Sequence, residues 1–279
     1  MADIGRFNTL PILERVPFGL YLDGGIEGDI LLPNRYIPTD QPTEPGDRLR
    51  VFVYLDSEDQ LIATTESPMA QVGEFASLKV TDVNRVGAFL DWGLAKELLL
   101  PHGEQQRPVE VGEYCVVHVY LDNSERISAS SKLDRFLDRT PVEYSPGQQV
   151  NLLIVSRTDL GFKAIINDRH WGLIHHSEVF RFLRKGMREA GFIKVIRPDG
   201  KIDLTLQAPG GRGRDALQSQ ILARLEQAAG VLPLSDKSAP EVITREFGVS
   251  KASFKKAIGG LFKAGDIVIY PDRIERISD

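Results

Sequence analysis

The 279-residue sequence is poor in cysteine, with one, in methionine, with three, and in tryptophan, with two. The lone Cys115 excludes an internal disulfide framework and any zinc site built on cysteines. It sits in the strand-like run Glu113-Tyr-Cys-Val-Val-His-Val-Tyr-Leu121 and reads as a small buried hydrophobe. No apolar run approaches the ~18 residues of a membrane span, so no membrane partner is expected. The opening MADIGRFNTLPILERVPFG has no basic segment followed by an apolar stretch, and no secretory signal is expected. A reduced, cytoplasmic protein fits these absences. What is present is ordinary for packed domains: 42% hydrophobic and 26% charged residues, in a length that suits two domains or several small ones.

The net charge of −5 conceals an asymmetry. Residues 1–133 carry 11 Lys and Arg against 21 Asp and Glu, a net of −10, whereas 134–279 carry 23 against 18, a net of +5. A polyanion is repelled by the first part and drawn to the second. Solvated surface explains such balances equally well, so charge alone names no partner.

A repeat of about 66 residues organises the first half. Phe18-Gly-Leu-Tyr-Leu-Asp23 recurs as Val86-Gly-Ala-Phe-Leu-Asp91, and Asp29-Ile-Leu-Leu-Pro33 as Glu97-Leu-Leu-Leu-Pro101. Pro45-Gly-Asp-Arg-Leu-Arg-Val-Phe-Val-Tyr-Leu-Asp56 recurs as Val111-Gly-Glu-Tyr-Cys-Val-Val-His-Val-Tyr-Leu-Asp122, and Gln60-Leu-Ile-Ala-Thr64 as Arg126-Ile-Ser-Ala-Ser130. Each block has the alternating or β-branched character of a short strand between Gly, Pro and Asp turns. About five strands in 65 residues without a long amphipathic helix suit a small barrel of the OB type. Alternation after Gly87 puts Phe89 and Asp91 on one face and Ala88, Leu90 and Trp92 on the other, so Phe89 faces solvent and Trp92 the core.

A divergent third copy spans 141–207, with a tight turn at Pro198-Asp-Gly200. Ala208-Pro-Gly-Gly-Arg-Gly-Arg214 then reads as a basic, glycine-rich linker, lacking the spacing of a phosphate-binding loop. Beyond it the period becomes helical, with Leu217, Ile221, Leu222, Leu225 and Ala229 on one face. A capping box at Ser238-Ala-Pro-Glu241 opens a second helix, and Ser250 caps a third whose apolar face is Phe254, Ile258, Leu261 and Phe262. A hairpin around Pro271-Asp272 completes a winged helix-turn-helix. The expected fold is mainly β: barrels at 1–67, 68–140 and 141–207, a linker at 208–214, and an α+β winged helix at 215–279.

Gly172-Leu-Ile-His-His-Ser-Glu178 makes the third barrel resemble an S1-type RNA-binding domain. That resemblance implies RNA lying on two aromatics that flank a glycine in the second strand, aided by a histidine and by an Asp and an Arg four apart. The aromatic positions hold Phe18 and Tyr21 in the first module, Val86 and Phe89 in the second, and Leu160 and Lys163 in the third. His175 fills the histidine position only in the third; Pro33 and Pro101 stand there in the others. The acid–base pair reads Asp56 and Gln60, then Asp122 and Arg126, then Arg197 and Lys201. No module carries the full set.

Two basic features lie in the second half. Phe180-Arg-Phe-Leu-Arg-Lys-Gly-Met-Arg188 interleaves Arg181, Arg184, Lys185 and Arg188 with aromatics, a composition suited to backbone and base contacts. A solvated helix face over a Phe/Leu stripe is its structural alternative. In the winged helix, Lys251, Lys255 and Lys256 project from the third helix, which offers no Arg, Asn or Gln for bidentate base contacts. His170, His175 and His176 near Asp168 and Glu178 raise a metal or proton-transfer reading, but no second carboxylate-rich motif supports one, and no metal or cofactor is expected.

The tandem barrels and the terminal Phe262-Lys-Ala-Gly-Asp-Ile-Val268 segment resemble the bacterial virulence factor B (CvfB/YitL-like) family across essentially the whole chain. The resemblance implies a non-enzymatic, cytoplasmic RNA-binding protein that affects gene expression. Single-stranded RNA would run over the third barrel onto the winged helix, and the acidic half would serve as a spacer, a protein-docking surface or a weaker binder. The alternatives are a DNA-binding regulator led by the winged helix and a protein-interaction scaffold with degenerate barrels.

Overall fold

The computed structural model describes residues 2–138, 144–208 and 210–277, except the side chains of 210–213. These residues form two compact units, one ending at Leu137 and one beginning at Asp138. The expected boundary at 140/141 lies outside the described residues.

The first unit contains two closed five-stranded barrels. Strands β1 (Phe7–Val16), β2 (Gly19–Asp23), β3 (Asp29–Pro33), β4 (Arg48–Leu55) and β5 (Leu61–Thr64) close in the order β1-β2-β3-β5-β4. Strands β6 (Phe75–Val83), β7 (Gly87–Asp91), β8 (Leu98–Pro101), β9 (Tyr114–Leu121) and β10 (Ile127–Ser130) repeat that order, with the same parallel pairing of third and fifth strands. Alternation sorts the side chains as expected: Ala88, Leu90 and Trp92 are buried, Phe89 is half-buried and Asp91 is exposed. Cys115 is buried. Phe52 of the first barrel packs edge-on against Trp92 of the second, at 5.7 Å between ring centroids, and joins their cores.

Two repeated blocks have a physical cause. Gly19, Gly87 and Gly161 each open the second strand of a barrel, where a Cβ would lie 2.2 Å from the Leu32 carbonyl oxygen, 2.4 Å from that of Leu100 and 2.0 Å from that of Ile174. Only a residue without a side chain fits this close approach of neighbouring strands. Asp56 and Asp122 close equivalent turns: Asp56 Oδ1 accepts from the Glu58 and Gln60 amides, and Asp122 Oδ1 from those of Ser124 and Arg126.

In the second unit, β11 (Gln149–Thr158), β12 (Gly161–Ile166), β13 (His170–His175), β14 (Arg188–Ile196) and β15 (Ile202–Thr205) close a third barrel of the same order over Leu152, Ile154, Ala164, Ile166, Ile174 and Leu204. The winged helix follows: α1 (Gly210–Gln227), β16 (Val231–Leu232), α2 (Pro240–Phe247), α3 (Lys251–Ala264), β17 (Ile267–Ile269) and β18 (Ile274–Arg276), with the strands in the order β16-β18-β17. Its core gathers Leu217, Ile221, Leu225, Ile243, Phe254 and Ile258. Among the described residues no helix is long and apolar enough to cross a membrane.

Several local expectations are corrected. Helix α1 starts at Gly210, inside the stretch expected as a linker (Pro209 lies outside the described residues), because each residue added to a packed helix gains a backbone bond. The box Ser238-Ala-Pro-Glu241 is not formed. Ala239 is the N-cap and Pro240 the first helical residue, while Ser238 Oγ accepts from the Ser235 amide. Ser250 does cap α3, accepting from the Ser253 amide at 3.1 Å. The basic run 180–188 is an irregular loop up to β14, with Leu183 buried and Phe182 exposed, rather than a helix face.

Candidate nucleic-acid interface

Three strands of the third barrel, β12, β13 and β15, present one outer face. Their inward residues, Ala164, Ile166, Ile174, Ile202 and Leu204, fill the core, so Lys163, Trp171, Leu173, His175 and Asp203 alternate outward. The register sets Lys163 opposite Leu173 and Leu173 opposite Asp203. Along β13, Trp171 and His175 are separated by about 13 Å of strand. Lys163 and Trp171 are diagonal cross-strand neighbours, and the ammonium lies over the indole ring, 3.6 Å from its centroid. A groove of ≈ 530 Å³ runs beside this pair, lined also by Thr158, Leu173, Asp199 and Lys201.

At the other end stands a three-residue cluster. Arg197 donates from Nε to Asp203 Oδ2 at 2.9 Å, and a terminal nitrogen lies 2.7 Å from Oδ1. His175 Nε2 lies 3.1 Å from Asp203 Oδ1 and 2.8 Å from an Arg197 terminal nitrogen. In a neutral imidazole Nε2 donates to the carboxylate or accepts from the guanidinium, one at a time. Burial pushes the Asp203 carboxyl up, but hydrogen bonds from Arg197 and His175, with their charges, hold it below its ordinary value. The Arg197 guanidinium is correspondingly held above its own, chiefly by its hydrogen bond to Asp203.

Asp203 is the residue that the sequence motif missed. An Asp and an Arg four apart pointed to Arg197 and Lys201, yet those two are hairpin partners whose backbones bond, and Lys201 pairs with Asp199. The diagonal neighbour of Arg197 is Asp203, so acid and base here come in reversed order, six residues apart. The polar residue in the alternating Ile202-Asp-Leu-Thr205 was the available signal.

The other expected residues are dispersed. Phe18 is exposed and meets Tyr21 edge-on at 6.2 Å, an aromatic pair on the first barrel. Arg126 does not pair with Asp122, whose carboxylate is occupied by its turn; it reaches Asp59 of the first barrel at 2.6 Å. Arg181 is tied to Glu189 at 2.9 Å. Arg188 is tied to Asp168 at the start of β14, roughly 30 Å of strand from Arg197, which lies just past the end of β14. Arg184 and Lys185 are exposed on the loop before it. On α3, Lys255 and Lys256 are exposed and Lys251 is half-buried; Lys255 stands 3.5 Å from Asp236. The histidines do not converge on a shared ligand site. His175 turns to Asp203, His176 Nε2 bonds the Thr158 carbonyl at 3.1 Å, and His170 Nδ1 meets the Tyr144 hydroxyl at 3.3 Å.

This architecture has relatives. A model of the S1 domain matches residues 4–66 and 72–132, the first two barrels, and a model of the CvfB-like winged helix domain matches residues 219–275. An uncharacterized Bacillus subtilis protein, YitL, is 31% identical over 276 residues, covering 94% of this chain and 90% of its own. The chain belongs to the virulence factor B family. Conserved virulence factor B of Staphylococcus epidermidis is 27% identical over 270 residues, covering 91% of this chain and 88% of its own; that of Staphylococcus aureus is 26% identical over 273 residues with the same coverage. A Streptococcus pneumoniae crystal structure, described as a multidomain protein with nucleic acid binding domains, is 26% identical, covers 98% of both chains and superposes with a TM-score of 0.44. This virulence factor B family member is thus built of S1 and winged-helix modules, which are nucleic-acid-binding types and typically non-catalytic.

Proposed function

We propose that this protein is a non-catalytic, cytoplasmic RNA-binding protein acting in the regulation of gene expression. Single-stranded RNA lies on the β12–β13–β15 face of the third barrel and continues toward the winged helix. The observation that carries the reading is that face itself: Lys163, Trp171, His175 and an Arg197 held in place by Asp203 all point outward from adjacent strands. Flat rings stack on bases and fixed cations track phosphates, a combination suited to unpaired strands. The charge of the second half favours the same partner, and Arg184, Lys185, Lys255 and Lys256 supply further phosphate contacts. Helix α3 exposes lysines and no planar donors, which favours backbone contacts over base reading.

The test is fluorescence anisotropy of the whole chain with labelled single-stranded RNA and duplex DNA of matched sequence, at two salt concentrations. Preference for the single strand, weakening steeply with salt, supports the reading. Preference for duplex DNA would put a winged-helix regulator in its place, and binding to neither would leave a protein-docking scaffold.

A further inference from the structure

The third barrel lacks the aromatic pair of its second strand. Leu160 and Lys163 occupy those places, so this face has no ring where the resemblance requires two. It has a ring elsewhere. Trp171, half-buried on β13, borders the groove of ≈ 530 Å³, and the Lys163 ammonium lies against the indole.

We propose that Trp171 is the base-stacking platform of this barrel and that Lys163 is its latch. One nucleotide of a single strand enters the groove; its base takes the place of the Lys163 ammonium on the indole, and the released ammonium moves to the adjoining phosphate. This rests on the proposed RNA reading and adds a defined subsite to it. Three observations carry it. The indole is the large aromatic on the outer face shared by Lys163, His175 and Arg197. The ammonium already marks the ring as a π surface open to a planar or cationic partner. The groove beside it has room for a base, and Lys201 at its edge offers a second cation. A base stacked on an indole is sequence-tolerant, so the subsite discriminates single strands from duplexes rather than one base from another.

The chain's two tryptophans make the test direct, because Trp92 is buried in the core of the second barrel and only 2% exposed. The whole chain is titrated with a short unlabelled single-stranded RNA of mixed sequence while intrinsic fluorescence is read, and affinity is measured in parallel by anisotropy with a labelled copy. The wild type should be quenched on binding. Trp171→Phe, which keeps a ring, should hold its affinity within about threefold yet lose the quenching, and Trp171→Ala should bind about tenfold or more weakly. Lys163→Met should retain the quenching and lower the salt slope by about one phosphate contact. The inference is overturned if RNA binds with unchanged fluorescence, or if Trp171→Ala binds like the wild type. Either result leaves the RNA reading standing, whereas a failure of the wild type to bind any RNA removes both. Should Trp171→Ala fold poorly by circular dichroism, Trp171→Phe still decides through the loss of quenching at retained affinity.

Discussion

Arg197 grips Asp203 through both carboxylate oxygens, from Nε to Oδ2 at 2.9 Å and from a terminal nitrogen to Oδ1 at 2.7 Å. A guanidinium held this way is aimed before any ligand arrives, which reduces the ordering cost of a contact on the outer face. The same carboxylate faces His175, so one buried acid orients two groups of the candidate site.

That arrangement has a pH signature. The Asp203 carboxyl is held below its ordinary value, so the folded state binds its proton less readily than the unfolded chain does. Its contribution to stability is complete above the unfolded value of about 4 and is lost as pH falls through the lower folded value. Asp203→Asn should therefore be less stable than the wild type near neutral pH, with the gap narrowing in acid, toward about pH 3. Urea midpoints read by tryptophan fluorescence at both ends of that range check this; a gap that widens in acid contradicts it.

Arg197 and Arg126 stand on opposite sides of the last hairpin turn of their barrels, Arg197 where the second barrel has Asp122, and they have different partners. Arg197→Ala should weaken RNA binding about tenfold, the scale of one lost charge-assisted contact. Arg126 is engaged with Asp59 of the neighbouring barrel, and Arg126→Ala should leave affinity within about twofold, since an exposed pair contributes little. Anisotropy titrations of the two variants side by side distinguish the roles.

Charge reversal should be regional. Arg184, Lys185 and Arg188 changed to Glu should weaken RNA binding far more than reversal of Arg48 and Arg50. Arg50 lies over the Phe7 ring and Arg48 donates to the Thr9 carbonyl, both in the acidic half. Equal losses would show that the basic half does not carry the site.

On the winged helix, alanine at Lys255 and Lys256 should weaken binding to all single-stranded sequences alike and lower the slope of log affinity against log salt by about 0.7 per lost phosphate contact. A sequence-selective loss would instead mean that α3 reads bases.

The glycines that open the second strands should be intolerant. Gly87→Ala places a methyl group against the Leu100 carbonyl and should cost about 1–3 kcal/mol in urea unfolding, the scale of core overpacking. Gly103→Ala, with open space at its Cβ, should stay within about 0.5 kcal/mol.

The duplication, the strand alternation and the winged helix were legible in the sequence because their causes are local. A carbonyl that forbids a Cβ keeps glycine at 19, 87 and 161; a turn that needs a carboxylate keeps aspartate at 56 and 122; a buried face repeats every two residues in strands and, through Phe254, Ile258 and Leu261, at helical spacing in α3, although Phe262, expected on that face, is exposed. Pairing across strands is not local. That Arg197 meets Asp203 rather than an acid four residues away, that Arg126 is drawn to Asp59 of another barrel, and that Lys163 lies on Trp171 all follow from register and barrel closure. Spacing along the chain determined which residue types stood at each strand; tertiary structure decided which of them share a face, because neighbours in a closed sheet are set by hydrogen-bond register and not by sequence distance.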